Sequence, residues 1–260
     1  MSARSLADWL VRLEGLHPSE IDMGLERVRL VAARLGVLTP APLVFTVTGT
    51  NGKGSTCAAL ESLLLRSGLR TGCYTSPHLV RYNERVRLDG QLADDASLCA
   101  AFAAIDDLRG DISLTYFEFG TLAALWLFKR AELDAVVLEV GLGGRLDAVN
   151  VVDAHVAVVT SIGIDHQEDL GNTRASVATE KAGILRSGRP VVSGERDLPD
   201  TFVQAVEGLG CQLVQRDRDF ALQMQPDGQW TLNGEGGLGA ARSLLLPPVR
   251  LPRDNLAVAV

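Results

Sequence analysis

Lysine is almost missing from this chain. Of 25 basic residues among 260, only Lys53, Lys129 and Lys181 are lysine; the other 22 are arginine. Arginine serves wherever a generic positive charge is needed, so a retained lysine points to chemistry that an always-protonated guanidinium cannot perform. Positive charge as a whole is also short: 32 Asp and Glu leave a net charge of −7. That balance speaks against a nucleic-acid partner, whose phosphates call for a basic face, so an anionic substrate must be met by a local site. Cysteine is scarce too. Cys57, Cys73, Cys99 and Cys211 include no pair at the spacing of a zinc or redox motif, which reads as reduced, partly buried thiols in a cytoplasmic protein. No uncharged apolar run reaches the roughly 18 residues of a membrane span. Early charges (Arg4, Asp8, Arg12, Glu14) stand where a secretory signal would be apolar. A membrane is therefore not an expected partner.

What is present fits a globular chain of one large domain or two small ones, with 47% apolar and 22% charged residues. Apolar spacing predicts helices over 5–15 and 22–35, the second with Leu25, Val28, Ala32 and Leu35 on one face. An apolar strand over 43–48 runs into GTNGKGST (residues 49–56), then a helix from about 55 to 67 that stops at Gly68. Further strands are expected at 70–74, 135–140, 155–160 and 190–193, with a hairpin of 85–88 and the strand from 91 around Asp89-Gly90. Helices are expected at 94–108, 117–131 and 173–186. This alternation predicts an α/β fold with a mostly parallel sheet flanked by helices. Later, 221–224 and 229–232 pair through Asp227-Gly228, 234–239 form a loop, and Leu244–Pro248 ends the readable domain. A helix begins near Asp254 and the chain stops in mid-pattern.

The strand–GTNGKGST–helix segment is the strongest local signal. Its glycines let backbone N–H groups turn toward a phosphate, and the helix N-terminus adds its positive dipole end. Lys53 would reach the outer phosphates, with Ser55 or Thr56 on magnesium. The common pattern G-x-x-x-x-G-K-[ST] is matched imperfectly, since Gly54 separates Lys53 from Ser55 and Val47 stands where the first glycine would. A Gly-rich turn without a ligand is the alternative.

Ligands of a parallel sheet gather at the C-terminal ends of its strands. Thr48, the segment Thr75–His78, Glu139, and Ser161 with Asp165 and His166 all fall at such ends. Glu139 lies in an apolar strand, so its carboxylate must be paired with a helix arginine or bind magnesium. Ser76 reads equally as a turn-capping hydroxyl, His166 as a loop histidine bonded to backbone, and His78 as structural. Lys181, beside Glu180, is either a solvated helix charge or a lysine kept for its reactivity. An ammonium has no lone pair for a metal, whereas a carbamate formed with carbon dioxide does.

Together, the stretches 47–55, 74–86 (YTSPHLVRYNERV), 139–148 (EVGLGGRLDA), Asp165-His166 and 180–184 (EKAGI) resemble folylpolyglutamate synthases. So do Leu-Glu-Gly-Leu-His near the start, Ile-Asp-Met-Gly-Leu-Glu-Arg and residues 114–124. The resemblance is to the bacterial bifunctional type that is also a dihydrofolate synthase, a relative of the muramyl-peptide ligases. It implies a P-loop NTPase-like, Mur-ligase-type central domain over 1–248 holding the ATP and folate sites. Residues 249–260 would begin the connection to a C-terminal Rossmann-like domain absent from this chain. It further implies that Thr50, Asn51, Gly52, Lys53, Gly54, Ser55 and Asn255 hold ATP. Two magnesium ions would be bound, one by Ser55, Ser76 and Glu139, the other by Glu139, His166 and carbamylated Lys181. Thr115, Tyr116, Phe117 and Glu118, with Leu146, Asp147 and Ala148, would line the pterin site. The catalytic set would be Lys53, Glu139, His166 and Lys181. The implied activity is ATP-dependent addition of L-glutamate to dihydropteroate and to folates through an acyl phosphate, by a monomer, with this stretch alone inactive. Two other readings stand beside it: a nucleotide-binding module only, and a muramyl-peptide ligase, against which residues 141–148 speak.

Overall fold

A computed structural model describes residues 4–19, 21–235, 241–246, 248 and 250–260. Helices α1 (Leu6–Glu14) and α2 (Glu26–Leu35) lead into β1 (Leu43–Thr48), α3 (Lys53–Arg66) and β2 (Thr71–Tyr74). The short β3 (Val86–Leu88) and β4 (Gln91–Leu92) follow, then α4 (Asp95–Arg109), α5 (Tyr116–Arg130), β5 (Ala135–Glu139) and β6 (Val156–Val159). Next come α6 (Gln167–Leu170), α7 (Arg174–Ala182), β7 (Pro190–Ser193), α8 (Asp200–Gly208) and β8 (Gln212–Gln215). Strands β9 (Phe220–Met224), β10 (Trp230–Glu235) and β11 (Ala241–Leu246) precede α9 (Arg253–Ala259).

The main sheet has eight strands in the order β4-β3-β2-β5-β1-β6-β7-β8. From β2 to β8 neighbours are parallel, and β3 and β4 extend the edge antiparallel. Asp89 (φ 49°) and Gly90 (φ 76°) turn this hairpin with both residues left-handed, as a two-residue primed turn requires. All of β5 is buried, which helices on both faces impose on a central parallel strand. Its residues alternate between two cores. Val136 and Leu138 join Phe102, Phe119 and Leu122 from α4 and α5. Val137 joins Cys57 and Leu60 of α3 on the other side, with the β9–β10–β11 sheet and α9 packed over them. There Arg253 of α9 lies over the Trp230 ring, 5.1 Å from its centroid.

The expected alternation is present, with differences at element ends. Helix α2 starts at Glu26, not 22, leaving 15–19 and 21–25 irregular. Helix α3 starts at Lys53 and is capped by Ser67, one residue before Gly68. Helix α7 ends at Ala182, not 186, and at Gly183 a Cβ would sit 2.3 Å from Arg145 Cα, so only glycine lets the chain of Arg145 pack there. The pair α8–β8 adds an edge strand that the sequence pattern did not show. Residues 236–239 of the expected Gly-rich loop, and Pro247, lie outside the described residues. No helix among the described residues is long and apolar enough to cross a membrane.

Candidate active site

Register fixes the meeting point. Val47 of β1 pairs with Glu139 of β5, and Thr48 with Val159 of β6. The loops that leave β1, β2, β5 and β6 therefore emerge along one edge of the sheet. Side chains sew them together. Thr48 Oγ1 donates to Gly143 O (2.7 Å), and Thr160 Oγ1 to Asn51 O (2.6 Å). Thr50 Oγ1 both donates to Gly163 O and accepts from Gly163 N, each at 2.9 Å.

At the centre lies the phosphate-type loop. Gly52 caps α3 at φ 87°, a left-handed conformation that side chains disfavour. A Cβ there would lie 2.6 Å from Asn255 Oδ1. Asn255 Nδ2 donates to Ser55 Oγ (2.7 Å), which donates to Gly52 O (3.1 Å). Lys53 Nζ reaches back to Gly49 O at 2.9 Å. The first turn of α3 carries no acid, so its dipole end remains favourable to an anion.

Glu139 is 4% exposed and has no ion-pair partner among the described residues. Its Oε2 accepts from Ser76 N (3.0 Å), beside the cis Ser76–Pro77 bond. Burial raises its affinity for a proton, against the pull of the Ser76 amide, Lys53, Arg87 and Arg85. A Cβ on Gly54 would stand 3.7 Å from Glu139 Oε1, so this carboxylate borders the phosphate loop. Lys181 is 3% exposed and also lacks an ion-pair partner among the described residues. Burial, helped by the neighbouring Lys53, lowers it to about 8 against a smaller opposing pull from Asp165. Arg145 N donates to Glu180 O (2.8 Å), which presses the 141–145 loop onto α7 beside Lys181. His166 is half exposed, at φ 47°, with Nε2 3.8 Å from Asp165 Oδ2. No group of three or more His, Cys, Asp or Glu side chains among the described residues is disposed to hold a metal ion.

Next to Ser76 opens a cavity of about 780 Å³. Thr115, Tyr116, Phe117, Glu118, Asp147 and Ala148 line it, as do Gly141, Leu142 and His166. Leu146 does not; it sits in the turn that follows Arg145, outside the cavity wall. Glu118 lines the wall but is already occupied: one oxygen accepts from Thr115 N (2.8 Å) and the other pairs with Arg27 (3.2 Å). Asp147 accepts from Leu142 N (2.8 Å) and Val149 N (3.0 Å), and burial pushes it up to about 6 in spite of these bonds.

Residues 47–192 match the family described as Mur ligase middle domain. The chain belongs to that family. It is 54% identical over 259 residues to the dihydrofolate synthase/folylpolyglutamate synthase of Escherichia coli K12, spanning 100% of this chain and 60% of the relative. The structure of E. coli FolC in complex with DHPP and ADP superposes with a TM-score of 0.94, covering 99% of this chain and 61% of that one. The Yersinia pestis bifunctional folylpolyglutamate synthase/dihydrofolate synthase complexed with AMPPNP and Mn gives 0.91 at 53% identity, covering 98% and 61%.

Two parts of the cavity wall carry no expected site role in the sequence, one of them outside the stretch that matches the Mur ligase middle domain. The connection before α2 puts His17, Pro18, Ser19, Ile21, Asp22 and Met23 against the cavity; helical periodicity absorbed the end of that stretch into α2. Arg85 also lines the cavity, in a motif that had drawn notice without a role for this residue. No local signal marks it, because the two rings that flank it, Tyr82 and Tyr116, meet only in the fold.

Proposed function

We propose that this chain carries the ATP- and folate-binding part of a ligase that joins L-glutamate to dihydropteroate and to folates through an acyl phosphate. The observation that carries the reading is the contact of two features at Ser76. This residue lines the aromatic-walled cavity and donates its N–H to Glu139, which borders the phosphate loop. An acid seated in the cavity would thus face a nucleotide on α3. The likeness to proteins whose structures hold ADP with DHPP, or AMPPNP with Mn, supports it.

In this reading the acid's carboxylate attacks the γ-phosphorus of ATP and ADP leaves. The α-amine of glutamate then attacks the acyl carbon, and phosphate and a proton are released. Thr50, Asn51, Gly52, Lys53, Gly54, Ser55 and Asn255 hold the nucleotide. Lys53 and the α3 N-terminus offset charge on the transferring phosphoryl group. Thr115–Glu118, with Asp147 and Ala148, hold the pterin.

The donor set fits divalent cations. Glu139 is a buried carboxylate without an ion-pair partner among the described residues; it accepts from the N–H of the hydroxyl-bearing Ser76 and borders the loop that carries Ser55. These three would hold one magnesium, and Glu139, His166 and Lys181 as a carbamate the second. Bound magnesium would neutralise phosphate charge. Burial of Lys181 favours the neutral amine, whose nitrogen attacks carbon dioxide and releases a proton to leave an anionic carbamate.

The intact protein should convert ATP to ADP only when pteroate or folate and L-glutamate are both supplied. Turnover with a different acceptor pair, such as a muramyl peptide, would overturn the substrate assignment.

A further inference from the structure

One cation in the cavity has no ion-pair partner among the described residues. Among the described residues lining the cavity, Arg85 is the one lysine or arginine. It is 9% exposed, and no acid pairs with it among the described residues. The acids around it are otherwise engaged: Asp22 with Arg27 and His17, Glu118 with Arg27 and the α5 start, Asp147 with backbone N–H groups, and Glu139 with the Ser76 N–H at 3.0 Å and no ion pair to Arg85. Glu14 is exposed at the rim. A guanidinium this buried and unpaired is costly unless a ligand supplies the anion.

Its setting prepares it for that. The guanidinium carbon lies 5.5 Å from the centroid of Tyr82 and 5.6 Å from that of Tyr116, so two rings restrain it. Nε donates to His78 Nδ1 (2.8 Å), which fixes one edge. The guanidinium also lies within reach of the Tyr74 hydroxyl and lines the cavity. Thr75 N donates to Arg85 O (2.9 Å), one residue before Ser76, whose N–H holds Glu139 (3.0 Å), so Arg85 sits on the side of the cavity that Glu139 borders, close enough to favour its ionised form.

We propose that Arg85 is a substrate-binding and specificity-determining residue: its terminal N–H groups receive the carboxylate of the aromatic acid and present it to the nucleotide. This rests on the reading of the cavity as the folate site. A planar fork matches a carboxylate with two parallel hydrogen bonds, which directs an oxygen lone pair toward the phosphate side and excludes a neutral end group. An amide in the same place leaves the guanidinium unpaired, so the site selects the ionised acid before any chemistry.

The test is calorimetric titration of the intact protein with pteroate and with pteroate carboxamide, for wild type, Arg85→Gln and Arg85→Lys, each checked for an unchanged melting profile. Wild type should prefer the acid by about 10- to 100-fold, the range expected for charge-assisted bonds. Arg85→Gln should bring that ratio close to one by weakening the acid alone, with ADP affinity unchanged. Arg85→Lys, which keeps a charge without the fork, should recover part of the preference. Equal loss of both ligands in the variants would assign Arg85 to packing and overturn the inference, as would unchanged acid binding in Arg85→Gln. Wild-type protein that binds neither ligand would instead sink the folate reading itself.

Discussion

Lys181 shows how far single residues could be read. Its type was informative because lysine is so rare here, and its burial next to Lys53 without a counter-ion gives that rarity a physical setting. Lys181→Arg keeps the charge but cannot become a carbamate. It should retain the far-ultraviolet circular dichroism of wild type while metal-dependent ligation falls below about 1% of wild type, the scale of losing a metal ligand. Normal turnover would remove the carbamate from the mechanism. Other residues were less legible. Sequence cannot say that both oxygens of Glu118 are taken by Thr115 N and Arg27, nor that Leu146 turns off the cavity wall, since both depend on side-chain direction and not on spacing. Glu139 was easier, because a carboxylate in an all-apolar strand has few stable roles.

At the scale of elements, strong periodicity was readable and short edges were not. β1, β5 and β6 announce themselves by runs of buried β-branched residues, and their common register brings the marked residues to one edge. Strand β8, Gln212-Leu-Val-Gln215, is half polar and lies at the sheet margin. Helix α8 buries only Phe202 and Val206, too little pattern to distinguish it from a loop. Helix starts were clearer where a cap is present. Thr115 Oγ1 accepts from Glu118 N (3.1 Å) while the Glu118 carboxylate returns the bond to Thr115 N, a reciprocal capping box. Thr115→Ala should therefore cost about 1–2 kcal/mol and lower the melting temperature by about 2–8 °C, as differential scanning calorimetry would measure. An unchanged melting temperature would mean that the cap contributes nothing to α5.

For the whole molecule, the chain spans 60% of its Escherichia coli relative, yet one rim of its sheet gathers the phosphate loop, Glu139, Lys181 and the cavity. Asn255 of α9 already reaches into that rim, its carboxamide on Ser55. Two positions earlier on the same helix, Arg253 covers Trp230, whereas the other indoles, Trp9 and Trp126, belong to the opposite core. A nucleotide held by Ser55 and Asn255 is expected to rearrange their hydrogen bond, and through α9 to alter the packing of Arg253 on the indole. Trp230 should then serve as an optical gauge of loading. Adding ADP and magnesium should change the tryptophan emission of wild type, while Trp230→Phe should bind the nucleotide equally well and stay dark to it.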